Sequence, residues 1–391
     1  MSIVWMLWAC STPDPAPFAR PSLPVSPSDD EGALDRRRRH PLVARVAADV
    51  VTGAFPLTVT FDPSASRLGW GAVQSEWSFG DGAGSTDPGT VVHTYVGAGT
   101  FDATLTLVDD RTGRVSTATV TIDVTAPPCP VGAAPVRWGT VADSALNEIS
   151  GLVASRREPD AYWVQEDSGN AAVLTAIDGS GATLSEHALS VAFTDWEDLQ
   201  ATVDPATGTP TLFLADFGDN GRSRGSVSVW VVDEPDPLVD GPLAPFELEL
   251  RYPDGPHDAE TLLVDPLTGD LFVVTKESAG PARLYVKRAP QDTPGAFVLD
   301  ALGAPAALSF AATSGDVSAD GDRVVVRGYS TTAALFVRDG YLPLEDAFSS
   351  PICPITLAGE VQGEAIGFTA DGSALVTTSE GVRQPVSAVE L

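Results

Sequence analysis

HDAETLLVDPLTG at 257–269 runs straight into LFVVTKES at 271–278. The first segment places an apolar strand just after an acidic residue. DPLTG is a tight turn, because Asp, Pro and Gly each favour chain reversal for separate steric and hydrogen-bonding reasons. The second segment is another apolar strand, and it ends in charge. The same unit recurs on both sides. NEISGLVAS (147–155) precedes AYWVQEDSG (161–169), and DWEDLQATVDPATG (195–208) precedes TLFLADFGD (211–219). SGDVSADG (314–321) precedes RVVVRGYS (323–330), and QGEAIGFTADG (362–372) precedes SALVTTSEG (373–381). Five units with shared turns read as copies of one supersecondary element.

Each unit carries further candidate strands: 172–178 and 182–190, 226–232 and 244–252, 282–288 and 296–302, 333–338 and 353–358. The fifth has only 384–391, and 136–141 from the start of the region is available as its missing outer strand. Four-stranded sheets repeated radially make a β-propeller, closed by a strand borrowed from the other end of the segment. Residues 130–391 are therefore expected to form a propeller of five blades, with six as the alternative.

The rest of the chain fits an all-β, exported protein. It has 391 residues, 53 Asp+Glu against 23 Lys+Arg, a net charge of −30, 32 Pro and 36 Gly. That charge disfavours nucleic acid, whose phosphates require a basic surface, and disfavours a polybasic membrane face. The run IVWMLWA (3–9) ending at Cys10 has the form of a lipoprotein signal with a lipobox cysteine, so residues 1–10 are read as signal and Cys10 as the lipidation site. An incidental cysteine is the alternative. Residues 11–43 are Pro-rich with one basic run, Arg36 to Arg39, and read as an extended linker. Cys129 and Cys353 are the two remaining cysteines, a sparse even count that suits one disulfide in an exported chain.

Residues 44–126 alternate apolar and polar positions between Gly/Asp turns, the pattern of a small antiparallel sandwich. FPLTVTFDPSAS (55–66), EWSFGDG (76–82), HTY (93–95) and GTF-x-x-TLTLVDD (99–110) resemble the polycystic-kidney-disease (PKD) domain, an immunoglobulin-like sandwich. The resemblance implies a core of Trp77, Phe79, Tyr95 and Phe101, a tight turn at Gly80-Asp81-Gly82, and a spacer or adhesive role.

In the propeller segment, four units share a polar-x-apolar register at the first strand: Ser150, Glu197, Glu260 and Glu364. In the fourth unit Asp316 is the nearest acid, one residue out of register. Innermost strands converge on an axis, and several carboxylates meeting there repel without a cation. Oxygen ligands without His or Cys suit Ca²⁺. Capping of strand-end amides, or channel water alone, is the alternative. The one-per-blade pattern resembles the calcium-activated nucleotidases, five-bladed propellers with axial Ca²⁺, which implies Ser150, Glu197, Glu260, Asp316 and Glu364 as ligands. DAETLLVDPLTG and QGEAIGFTADG also resemble the phytase-like propellers with esterase-like activity.

Second strands end in polar residues that make candidate catalytic groups: Glu166, Asp167, Asp216, Lys276, Glu277, Arg327 and Glu380. Paired carboxylates serve as general acid and base, and Lys276, one of only two lysines, is a candidate oxyanion contact. GRSRG (221–225) matches a nucleophile-elbow string but lies between two strands, where the elbow's strand-to-helix turn is missing. Trp163 and Trp196 are expected in the core. The functional expectation is an extracytoplasmic lipoprotein or secreted monomer with a Ca²⁺-binding propeller. It would hydrolyse small phosphate or other esters. The alternatives are a non-catalytic module that captures a small molecule, surface glycan or protein, and a structural element of the envelope.

Overall fold

The architecture comes from a computed structural model, which describes residues 41–391 except 70, 71, 96, 127 and 339–341. The lipobox cysteine Cys10, the signal segment, the basic run Arg36 to Arg39 and nearly all of the linker lie outside the described residues. Among the described residues the chain is all-β, with two 3-10 turns, Ala306–Leu308 and Leu344–Ser349, as its helical elements. It divides into two compact units.

The N-terminal unit is a two-sheet sandwich. Ala47–Ala48, Leu57–Asp62 and Val91–Tyr95 form one sheet; Thr52–Ala54, Val115–Thr125, Gly99–Asp109, Val73–Ser78 and Gly84–Ser85 form the other. Alternation puts Val59, Phe61, Trp77, Leu105 and Leu107 inside. Phe61 packs between Trp77 and Phe79 with ring centroids 5.8 and 5.5 Å away, Tyr95 is buried beside them, and Phe101 is half-buried. Gly80 turns the chain at φ +89°, and a side chain there would meet the Asp102 backbone at 2.8 Å.

The C-terminal unit contains five sheets, each built on four antiparallel strands and begun by one of the repeated units. Sheet I is Ile149–Ala154, Ala161–Glu166, Val173–Asp178 and Thr183–Ala188; sheet II is Trp196–Val203, Pro210–Asp216, Val227–Asp233 and Phe246–Arg251. Sheet III is Ala259–Val264, Leu271–Thr275, Leu284–Lys287 and Asp300–Gly303; sheet IV is Ser314–Val317, Arg323–Arg327, Thr332–Val337 and Cys353–Thr356. Sheet V is Gly363–Phe368, Ala374–Ser379 and Pro385–Glu390, completed by Val136–Thr140 paired antiparallel to its last strand. The stretch 296–302, expected as one strand, divides. Gly295–Val298 joins the edge of sheet II in parallel, and Asp300–Gly303 stays in sheet III. Leu299 between them is buried and donates its N–H to the Arg251 carbonyl at 2.9 Å, so a core anchor forces the chain to change sheets.

First strands touch in sequence, I to II to III to IV to V, and the first strand of V touches that of I. The apolar core follows the same cycle. Trp163 and Leu174 of sheet I pack on Leu199 and Leu214 of sheet II; Phe272 of III packs with Phe336 of IV; Val376 and Val386 of V pack with Tyr162 and Val164 of I. Four of the repeated turns carry a left-handed glycine at the same place: Gly208, Gly269, Gly321 and Gly372, with φ of 73°, 77°, 78° and 70°. That conformation is cheap only without a Cβ.

Buried carboxylates clip neighbouring sheets together. Asp198 of sheet II accepts the Leu262 N–H of sheet III at 2.9 Å, and Asp316 of sheet IV accepts the Phe368 N–H of sheet V at 2.7 Å. Asp265 holds Arg338 by a two-pronged pair of 2.7 and 3.0 Å, and Glu234 accepts from Ser155 and the Trp163 indole at 2.5 and 2.9 Å. Cys129 and Cys353 are joined by a disulfide across 224 residues, with Cα atoms 5.3 Å apart.

Asp316→Ala leaves two buried N–H groups without acceptors and is expected to cost about 2–4 kcal/mol; a urea titration against Asp316→Asn, expected to lose less, checks it. A Cys129→Ser/Cys353→Ser chain is expected to lose up to about 5 kcal/mol. Hydrogen exchange should then rise first in Val136–Thr140 and Pro385–Glu390, and uniform exchange across the sheets would contradict this.

Candidate functional site: an acidic mouth

In four of the five sheets the first strand slips by one residue against the second at its N-terminal end. The skipped residues are Ser150, Glu197, Glu260 and Glu364. A bulge inserts a residue that has no partner across the ladder and re-aims its side chain. The polar member of each repeat is thus the bulged one. Sheet IV pairs in continuous register from Ser314 to Val317, without a bulge. Asp316 accordingly sits deeper, fully buried, with both oxygens taken by the Val317 and Phe368 N–H groups at 2.8 and 2.7 Å.

Around the bulges the carboxylates crowd. Oxygens of Asp167, Asp195 and Glu197 all lie within 4.8 Å of one another. Glu260 is bound by the Lys276 ammonium, which also donates to the Tyr329 hydroxyl at 2.9 Å. Glu364 accepts from the Gln362 amide at 3.1 Å and shares a hydrogen bond with Glu380. Gly218 lies against Asp195 and Glu197, and any side chain there would collide with their carboxylates. Deeper in, Ser150 Oγ and Gln165 Nε2 both donate to the Glu197 carbonyl, at 2.5 and 3.0 Å. The Gln165 Oε1 atom is buried beside Gly151 without a hydrogen-bond partner.

The electrostatics follow from this crowding. Burial, with Asp195, Glu364 and Glu148 nearby, pushes Asp167 up to about 6. Burial and the Glu260, Asp167 and Asp195 charges raise Glu197, and burial raises Glu260 although Lys276 opposes it. Burial and the Glu364 hydrogen bond raise Glu380. Burial works against the Lys276 charge, but the Glu260 contact outweighs it and holds the ammonium above its ordinary value. The donor set where Asp167, Asp195 and Glu197 meet is carboxylate oxygen. That set fits a hard cation such as Ca²⁺.

The remaining candidate residues are placed elsewhere. Glu166 accepts the Asn147 N–H at 2.8 Å. Asp216 accepts the Thr194 and Asp195 N–H groups at 3.0 Å each and pairs with Arg224, so it shapes the loop that carries Asp195. Glu277 pairs with Arg222 at 2.8 Å. Arg327 is buried against Glu360 at 2.8 Å and donates to the Ala365 carbonyl. The structure therefore gathers Ser150, Asp167, Glu197, Glu260, Lys276, Glu364 and Glu380, and sets Glu166, Asp216, Glu277, Asp316 and Arg327 apart. Asp195, Glu148, Gln165 and Tyr329 escaped the sequence reading. Asp195 and Glu148 shared a signal, each lying two residues before the bulged position of its unit, Glu197 in DWED and Ser150 in NEIS. GRSRG is a turn wrapped on Asp219, whose carboxylate accepts the Ser223 and Arg224 N–H groups at 2.7 Å each.

Comparison with known proteins bears on the N-terminal unit. The sequence profile of the PKD domain matches residues 41–124. The PKD1 domain of the Vibrio cholerae metalloprotease PrtV is 31% identical over 22% of this chain and 98% of its own, with a TM-score of 0.19. The PKD1 domain of Vibrio anguillarum Epp is 27% identical over 22% of this chain and 94% of its own, with a TM-score of 0.17. No curated protein matches the chain. PKD domains typically occur in extracellular and secreted proteins, consistent with an extracytoplasmic location. With the profile match and the two-sheet sandwich together, residues 41–124 belong to the PKD-domain family.

Proposed function

We propose that residues 130–391 form a five-bladed propeller that binds Ca²⁺ at its acidic mouth and, through the ion, captures an acidic small molecule outside the cytoplasm. The protein is held to the envelope through Cys10 or released. The propeller reading is supported by the cycle of first-strand contacts and by the five core clusters between successive sheets. The single observation that carries the Ca²⁺ reading is the meeting of Asp167, Asp195 and Glu197 oxygens within 4.8 Å of one another. Asp167, Asp195 and Glu197 would hold the ion, with Glu364 and Glu380 beside them. When bound, Ca²⁺ supplies positive charge for oxygen donors of the ligand.

Hydrolysis of a phosphate or other ester is the second reading, favoured by Lys276 between Glu260 and Tyr329. Lys276 would bind the ester's anionic oxygen, Asp167 above about pH 6 would take a proton from the attacking water, and the protonated Glu380 would give one to the leaving oxygen. The placement of Arg327 against Glu360 leaves this chemistry one cation poorer than the sequence suggested.

Titration calorimetry of the whole chain with CaCl₂ is expected to give one binding event. Asp167→Asn/Glu197→Gln, with an unchanged far-ultraviolet spectrum, should weaken it at least about tenfold. Absence of heat in the wild type would refute the Ca²⁺ reading. If binding is found, p-nitrophenyl phosphate and acetate turnover with and without Lys276→Met separates hydrolysis from capture.

Without metal, the raised carboxyl values set the sign of the pH dependence. The folded chain holds protons at Asp167, Glu197, Glu260 and Glu380 that the unfolded chain has released. Stability is thus greatest below the ordinary carboxylate range and falls as pH rises through about 6 and beyond. In EGTA the melting temperature should be lower at pH 8 than at pH 5. Added Ca²⁺ should raise it more at pH 8, and an opposite trend would contradict the site.

A further inference from the structure

At the turn ends of sheets V and I, roughly 20 Å along the strands from the mouth, lies a cleft of about 590 Å³. Trp138, on the strand that completes sheet V, lines it and is 42% exposed, with its indole resting on Gly179. Tyr162 lies on the wall; it is only 3% exposed, and its hydroxyl has no hydrogen-bond partner among the described residues. Asp160, Asp178 and Asp371 complete the lining, and no Lys or Arg takes part in it.

These residues do different work. Asp178 and Asp371 are turn makers. Asp178 accepts the Ser180 and Ala182 N–H groups at 2.8 and 3.0 Å, and Asp371 accepts the Ser373 N–H at 3.0 Å and the Thr369 hydroxyl at 2.7 Å. Their charges nevertheless face the cleft. Asp160 is exposed and makes no side-chain hydrogen bond among the described residues. Burial, with Asp160 and Asp371, pushes the Tyr162 phenol up to about 12, so it remains a hydroxyl donor at neutral pH. An aromatic face beside several carboxylates attracts a cation twice, through the ring quadrupole and through charge. A phosphate or carboxylate ligand would meet the repulsion of three carboxylates there.

We propose that this cleft binds a small organic cation, an alkyl or quaternary ammonium group, which stacks on Trp138, is neutralised by Asp160 and Asp371, and accepts or shares a hydrogen bond with Tyr162 through an attached oxygen. The site is independent of the acidic mouth and of Ca²⁺. Its walls come from the two ends of the C-terminal unit, Trp138 before sheet I and Asp371 in sheet V, so it exists only where the sheets meet.

Calorimetry of the full chain with choline chloride tests this, in Ca²⁺ and again in EGTA. Saturable binding of the same strength in both buffers is expected. Trp138→Ala should weaken it about tenfold and Asp160→Asn about threefold, each with an unchanged melting curve. The neutral isostere 3,3-dimethylbutan-1-ol should bind at least about tenfold more weakly than choline. Equal binding of the neutral compound, choline binding unchanged in Trp138→Ala, or no heat with choline up to about 100 mM would each overturn the proposal. Tyr162→Phe gives a second reading: loss of affinity for choline but not for tetramethylammonium is expected, because only choline carries the oxygen.

Discussion

The antiparallel ladder between Val136–Thr140 and Pro385–Glu390 is the constraint on which the C-terminal unit depends. It joins the first strand of the unit to the last, so sheet V has four strands and no three-stranded raw edge. The cores on both sides of sheet V are thereby completed: Val376 and Val386 pack toward sheet I, and Phe368 and Leu375 pack toward sheet IV. The Cys129–Cys353 disulfide lies beside this seam and ties the approach to Val136 onto the outer strand of sheet IV. Closing so long a segment costs chain entropy in one step, and the cross-link removes part of that cost from the unfolded chain.

Given that frame, the acidic mouth is a product of irregularity within otherwise regular strands. Apolar residues two apart, such as Leu262 and Val264, hold the first strand of sheet III in register. The single extra residue at its head frees Glu260 from the ladder. The same device recurs at Ser150, Glu197 and Glu364. Carboxylates placed this close oppose folding, since burial and mutual repulsion raise Asp167, Glu197 and Glu260. Local conflict of this kind, carried by an otherwise consistent structure, supports the proposal of a site there.

The chain's 53 acidic residues do three kinds of work. Asp204, Asp265 and Asp371 shape turns by accepting backbone N–H groups. Asp198, Asp316 and Glu234 join neighbouring sheets from buried positions. Asp167, Asp195 and Glu197 meet at the mouth. Composition alone cannot separate these roles, because one residue type serves all three. Asp316, one residue out of register, and Glu364 were both candidate axial acids, yet one is consumed by two backbone N–H groups while the other faces its neighbour Glu380.

Alternating and continuous apolar runs, repeated Asp-Gly turns and the PKD motifs made the all-β class, the sandwich and the five repeated units legible from the amino-acid order, because strand period and turn chemistry are local properties. The same holds for most of the acids at the head of each first strand. Other features are set by contacts between distant residues, which local order does not encode. Leu299 entering the core divides 295–303 between two sheets. Glu360 captures Arg327 and removes it from the candidate site. Asp195 joins Asp167 only because sheets I and II stand side by side. Trp138 meets Asp371 because the two ends of the unit pair. Strands and turns were determined by sequence at short range; which charges meet, and which are used up, was decided by tertiary structure, because burial and pairing are properties of the assembled sheets.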